Sequence, residues 1–223
     1  MSVLQRLFSI FQSDNLYQQA IDESYKMLDI DLAMYKASVE SLRQSDTSEI
    51  PIDIFSMDKQ INAFERDVRN KILTHICMAG TSELAPGMVL VSIIIDIERI
   101  GDYTKNIYDM AVNHPKRLTA GSLEEKLHSV ETATGEILEK SIIAFKTQDE
   151  IAARHLMASY KTDISPICDE ITNSIVSGKT TDLGTSEAAA VALYARYLKR
   201  ISAHAKNLIS SVVNSFERIG YSE

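Results

Sequence analysis

The sequence has few of the residues that form turns or cross-link chains. Its 223 residues include 8 Gly, 4 Pro, 2 Cys and no Trp. Such low Gly and Pro contents disfavour a fold of many short strands, and the otherwise ordinary globular composition excludes disorder and collagen. Two cysteines, Cys77 and Cys168, are too few for a disulfide framework or a paired Cys-x-x-Cys metal site. Both lie at apolar positions of a helical pattern, which predicts reduced thiols in the core.

Long apolar runs and an excess of basic charge are also missing. No stretch of 18 or more apolar residues occurs, and the first residues lack the unbroken apolar run of a signal peptide. The formal net charge is -8 and the sequence pI is near 5.2, which disfavours a nucleic-acid binder. We therefore expect a soluble intracellular protein.

Helical periodicity is the main positive signal. Apolar residues recur at spacings of three and four in six stretches, roughly 14–43, 52–79, 84–113, 122–146, 148–177 and 185–218. The segment 88–97 is rich in β-branched residues and resembles a strand in composition. Because its apolar pattern continues to Val112 without a turn signal, it is predicted to be part of a long buried helix. Pro166 predicts a kink just before it in the fifth helix.

An internal repeat organises these helices. The segment IERIGDYTKNI at 97–107 aligns with LKRISAHAKNL at 198–208, 101 residues later. This predicts two three-helix units, residues 14–113 and 122–218. An amphipathic N-terminal segment, residues 1–13, precedes them and is equally suited to packing on the first unit or to docking on a partner or membrane surface.

A twofold three-helix repeat whose third helix carries ERIGD and then Lys-Asn-Ile resembles the PhoU family of phosphate-signalling proteins. The segments SMDKQINAFERDV, SIIAFKTQDEIAA and ARYLKRISAHAKNL also match. The resemblance implies an all-α fold, a tandem repeat of two antiparallel three-helix bundles packed side by side with six long helices. It also implies a non-enzymatic cytoplasmic adaptor that regulates phosphate uptake and phosphate-starvation signalling by contacting a phosphate transporter component, a sensor histidine kinase or both. A homodimer and peripheral membrane association are compatible with it.

The resemblance further implies a metal site, because some relatives bind iron or zinc clusters through paired (Glu/Asp)xxxAsp motifs. Glu98 and Asp102 form one such motif here, and Asp58 and Asn62 form a weakened one with an amide. A spacing of four places each pair on one helical face. The first repeat is thus a candidate iron or zinc site, which would make the chain a metal storage or sensing protein. The alternative is that these carboxylates form salt bridges with the basic residues Lys105, Arg66 or Arg69.

The second repeat lacks the motif. Lys161 and Ser165 stand at the equivalent positions of the fifth helix, and Lys199 and Ala203 at those of the sixth. An ammonium group repels a cation, so no metal is expected there.

Both repeats keep an Arg and an Asn seven residues apart, and these pairs are Arg99 with Asn106 and Arg200 with Asn207. We expect them to span between helices and fix the bundle register, and an anion site is the alternative. His75, His155 and His204 are predicted to lie at interior positions. The sequence contains no nucleophile and base motif, so no catalytic residue is assigned.

Overall fold

The fold is helical throughout the residues that the computed structural model describes, 16–47, 49–79, 84–114 and 116–221. No strand occurs within these ranges. The helices are α1 (Leu16–Gln44), α2 (Ile54–Ala79), α3 (Leu84–Asn113), α4 (Glu124–Thr147), α5 (Glu150–Ser159), α6 (Ser165–Val176) and α7 (Thr185–Val213). Short turns of 3-10 helix precede α4 and follow α7. The N-terminal segment 1–13, with its two predicted roles, lies outside the described residues.

Helix α3 is enclosed by three other helices. It packs against α1, α2 and α7, and Ile93, Ile94, Ile97 and Ile100 along it have no exposed surface. Four β-branched side chains at helical spacing bury a large apolar area, and this burial outweighs their modest preference for strands. The predicted buried helix over 88–97 is therefore confirmed.

The fifth long helix consists of α5 and α6 joined by one turn of π-helix. The side chain of Asp149 caps its start by accepting a hydrogen bond from the Ala152 N–H at 3.0 Å. The π-turn covers Tyr160–Ile164 and ends two residues before Pro166. Because proline has no N–H to donate and its ring crowds the preceding turn, the regular hydrogen-bond ladder is interrupted there. The π-turn lies just before Pro166, where the sequence predicts a kink.

The helices form two groups of three. α1, α2 and α3 pack together, and α7 packs against α4, α5 and α6. The groups join through a broad α3–α7 contact and a smaller α1–α4 contact. At the α1–α4 contact the buried Arg43 guanidinium donates to Glu131 at 2.9 Å and also pairs with Glu124. This arrangement is the predicted all-α fold with six long helices, whereas the repeat boundaries 14–113 and 122–218 stay a prediction.

Candidate functional site

The candidate site lies where α2 and α3 face each other in the first group of helices. Asp58 and Asn62 come from α2, and Glu98 and Asp102 come from α3. The ammonium group of Lys105 bridges the two helices, donating to Asp58 Oδ1 at 2.9 Å and to Asp102 Oδ1 at 3.3 Å. The structure thus forms the ion pair with Lys105 that the sequence offered as the alternative to metal binding.

A fully buried carboxylic acid adjoins this cluster and was missed by the sequence analysis. Asp31 on α1 has no exposed surface, and neither of its carboxyl oxygens has a hydrogen-bond partner among the described residues. Burial raises its pKa well above the ordinary value, and the charges of Glu98, Asp58 and Asp102 raise it further. Both effects favour the protonated form of Asp31. We name Asp31, Asp58, Glu98, Asp102 and Lys105 the acidic cluster.

Arg99 supplies a second positive charge at the exposed side of the acidic cluster. Its guanidinium donates to Asp102 Oδ2 at 3.0 Å and lies 3.5 Å from Glu98 Oε2. Burial and the Asp102 charge raise the pKa of Glu98, while Arg99 opposes that shift.

The pKa of Lys105 is also raised, by a different balance of effects. Burial alone would lower the Lys105 pKa, but hydrogen bonds to Asp58 and Asp102 and their charges outweigh it, so the pKa is raised. The lysine is thus firmly protonated at neutral pH, and the acidic cluster holds an ammonium cation between its carboxylates.

A metal ion does not fit the acidic cluster as it stands. The Lys105 ammonium lies between Asp58 and Asp102, where a cation shared by α2 and α3 would bind. The amide of Asn62 donates to the backbone carbonyl of Asp58 at 3.0 Å and thereby stays within its own helix. In the described part of the chain, no three His, Cys, Asp or Glu side chains are grouped so as to hold a metal. Iron or zinc binding in the first repeat, with the storage or sensing role that depends on it, stays a prediction.

The residues that replace the motif in the second repeat are scattered. Lys161 is exposed in the π-turn and Ser165 begins α6. Lys199 on α7 is bound to Asp169 of α6, with its ammonium 2.6 Å from both carboxylate oxygens. Ala203 offers no ligand atom. The second repeat thus also joins its second and third helices through a lysine.

The Arg and Asn pair of the second repeat spans between helices, as predicted. Arg200 on α7 donates to the Tyr103 hydroxyl of α3 at 3.2 Å, and its guanidinium lies over the Tyr103 ring at 5.6 Å. Asn207 donates to Asp96 Oδ1 at 3.0 Å. The pair of the first repeat differs, because Arg99 contacts carboxylates of its own helix. No sequence motif pointed to Asp96.

His204 completes this α3–α7 network, which we call the seam cluster: Asp96, Tyr103, Tyr197, Arg200, His204 and Asn207. The His204 ring lies 2.7 Å from Asp96 Oδ1 through Nδ1 and stacks on Tyr103 with 5.8 Å between ring centroids. Tyr103 also contacts Tyr197, at 6.1 Å between ring centroids. Asp96 and Tyr197 are 101 residues apart, and so are Tyr103 and His204. Asp96 therefore occupies the position in the first repeat that Tyr197 occupies in the second, and the Asp96–His204 contact is equivalent to the Tyr103–Tyr197 contact. This equivalence is what two helices related by a pseudo-twofold axis produce.

Two other predictions about side-chain burial need correction. His75 and His204 are buried as expected, whereas His155 is exposed on α5. Cys168 is buried, but Cys77 is exposed near the end of α2. Both exposed residues lie outside the helix face that packs against the core. The apolar periodicity near a helix end is too short to show which face a residue occupies.

Comparison with known proteins supports the resemblance. The PhoU domain model matches residues 25–111. The crystal structure of PhoU from Pseudomonas aeruginosa is similar with a TM-score of 0.74 and 19% identity, covering 89% of this chain and 95% of that one. The phosphate transport system regulatory protein PhoU from Streptococcus pneumoniae has a TM-score of 0.76 and 16% identity, covering 88% and 93%.

Two observations are negative. No curated protein sequence matches this chain. Within the described residues, every helix is too short or too polar to cross a lipid bilayer. The identification therefore depends on the matched domain and on the shared architecture. Residues 25–111 match the PhoU domain model, and the chain as a whole shares the fold of the two PhoU structures.

Proposed function

We propose that this chain regulates phosphate transport and phosphate-starvation signalling as a non-catalytic adaptor. The observation that carries the proposal is the PhoU domain at 25–111 within a chain that shares its architecture with a phosphate transport regulatory protein. The chain acts by binding a phosphate transporter component, a sensor histidine kinase or both in the cytoplasm. Association with these proteins changes their activity, and the adaptor itself converts no substrate.

The surface offers apolar side chains for such contacts on both groups of helices. Met78 at the end of α2 is 79% exposed, and Val176 at the end of α6 is 78% exposed. Large exposed apolar side chains are enriched at protein contact sites, and neither residue contributes to the core. These two positions therefore allow the contribution of each group of helices to be tested without unfolding the protein.

The decisive experiment is phosphate uptake in cells lacking the gene. We expect initial rates of labelled phosphate uptake, and transcripts induced by phosphate starvation, to become insensitive to external phosphate. Re-expression of the wild-type chain should restore the response. If a deletion strain kept normal uptake and a normal starvation response at both low and high phosphate, the regulatory function would be wrong.

Partner binding is tested by affinity capture from detergent-solubilised membranes with the full chain as bait. We expect a phosphate transporter component or a sensor kinase, and loss of it with Met78→Lys or Val176→Lys. Because both substitutions are at exposed positions, melting temperatures should stay within a few degrees of the wild type. Light scattering of the purified protein tests the homodimer, and co-sedimentation with vesicles tests membrane association.

A further inference from the structure

The acidic cluster has more carboxyl groups than it has positive charges. Asp31, Asp58, Glu98 and Asp102 are on three helices, and two of the four are at most 9% exposed as whole residues. Burying several ionised carboxylates together is costly unless cations balance them. A molecule with this cluster therefore needs a cation held at its centre, from solution or from its own sequence.

Lys105 supplies that cation from the sequence. Its side chain is 24% exposed, and its ammonium contacts carboxylates of both facing helices at 2.9 and 3.3 Å. An ion that bound Asp58 and Asp102 together would have to displace this ammonium or share its position. The two like charges would repel each other strongly at that distance, and a divalent ion would double the repulsion of a monovalent one.

We propose that Lys105 is the resident cation of the first repeat, occupying the position a divalent metal would take and keeping the acidic cluster metal-free. The lysine joins α2 to α3 as a metal bridge would. In the second repeat Lys199 joins α7 to α6, and its ion pair among the described residues is with the one carboxylate of Asp169, so there the lysine is a cross-link. This inference is independent of the proposed regulatory role.

Removing the Lys105 charge should allow the carboxylates of the acidic cluster, which are not grouped to hold a metal in the present structure, to close around one. The fully buried Asp31, whose two carboxyl oxygens lack partners, and the freed Asp58 and Asp102 would then offer oxygen ligands on three helices. Divalent metals bind such oxygen sets, and binding to the native state raises the melting temperature. The affinity of the acidic cluster for a divalent ion should therefore rise by at least about 100-fold. Relief of one like-charge repulsion at this distance is more than enough to produce such a gain.

The experiment measures zinc and manganese by elemental analysis after each protein is incubated with the metal and desalted at pH 7. We expect no retained metal for the wild type and about one equivalent for Lys105→Ala, with a metal-dependent rise in melting temperature. The double variant Lys105→Ala, Asp58→Asn should lose this binding. Lys199→Ala is the matched control, because it removes a cross-helix lysine where no acidic cluster exists, and it should stay metal-free.

Each outcome decides the proposal. Stoichiometric metal in the wild type that Asp58→Asn abolishes would show that Lys105 does not exclude the ion. A folded Lys105→Ala protein that retains no metal would show that the acidic cluster cannot hold one even when open. If Lys105→Ala did not fold, Lys105→Met would replace it, and Lys105→Arg should remain folded and metal-free because it keeps the charge. Metal retained by folded Lys105→Arg would equally refute the proposal.

Discussion

Replacing Asp31 with Asn should stabilise the protein, and by an amount that grows with pH. Asp31 is fully buried, its carboxyl oxygens lack partners among the described residues, and its pKa is raised by burial and by Glu98, Asp58 and Asp102. The folded protein therefore keeps this carboxyl protonated at a pH where the unfolded chain releases the proton. Asn has nearly the same shape and never ionises, so the substitution removes that proton difference.

The magnitude follows from proton linkage. An Asp in an unfolded chain ionises near pH 4. Above that pH the native state binds one more proton than the unfolded state, so the free energy of unfolding falls by about 1.4 kcal/mol per pH unit until the folded pKa is passed. The advantage of Asp31→Asn over the wild type is thus small at pH 4 and grows by about 1.4 kcal/mol for each pH unit up to the raised folded pKa of Asp31.

The assay is urea unfolding at pH 4 to 8 of the wild type, Asp31→Asn and Glu40→Gln. Glu40 is exposed on the same helix, so its substitution controls for the loss of a carboxylate on α1. A poorly fitting amide would shift the Asp31→Asn curve by a constant at every pH, and the slope would still report the buried proton. A stability difference that did not rise with pH would refute the assignment of a protonated Asp31.

Three further predictions concern other parts of the structure. Gly101→Ala should lower the stability of the protein by about 1–3 kcal/mol in thermal unfolding, because the added Cβ would lie 2.8 Å from a carboxyl oxygen and 2.8 Å from an isoleucine methyl group. Gly135→Ala is the control, because its Cβ would lie at an ordinary 3.4 Å from the nearest atom of a tyrosine ring. It should leave stability unchanged or raise it by up to about 1 kcal/mol. Asp96→Ala should cost about 1–3 kcal/mol, measured by urea unfolding, because it leaves donors of the seam cluster unpaired, and an unchanged midpoint would contradict that. In a thiol titration with Ellman's reagent, Cys77 should react at once and Cys168 only after unfolding, because Cys168 is buried and burial raises its pKa to about 12. Two fast thiols in the native protein would refute this last prediction.

The helices could be predicted because their apolar periodicity extends over many residues. A pattern repeated over 24 to 30 residues in the longest helices averages out local exceptions, which explains why the β-branched segment 88–97 did not mislead. Four-residue spacing likewise placed Glu98 with Asp102 and Asp58 with Asn62, since such pairs share a face whatever the tertiary structure. The facing of the two pairs across α2 and α3 came from the family resemblance, and the structure agrees.

The rest of the site depends on tertiary packing that one sequence does not encode visibly. Asp31 lies two residues after Asp29 on the same helix. Asp31 is fully buried, whereas Asp29 pairs with Lys146, and the contact of α1 with α3 determines this difference. Asp96 follows an apolar run and resembles a solvent-facing residue of a buried helix. Its partners are on α7, more than 100 residues later, so the rotation of α7 about its axis determines its environment.

The seam cluster shows how a duplicated chain can fix the register of its two halves. Under the repeat offset, Asp96 corresponds to Tyr197 and Tyr103 to His204, so one seam contact is a carboxylate with an imidazole and its counterpart is a pair of aromatic rings. An apolar seam could slide by one helical turn at little cost, because its contacts would be replaced by similar ones. Sliding here would leave the Asp96 carboxylate without its donors in a largely buried position, at about 1–3 kcal/mol for each lost partner. The seam cluster therefore holds α3 and α7 in one register, and through them it fixes the orientation of the two surfaces that carry Met78 and Val176.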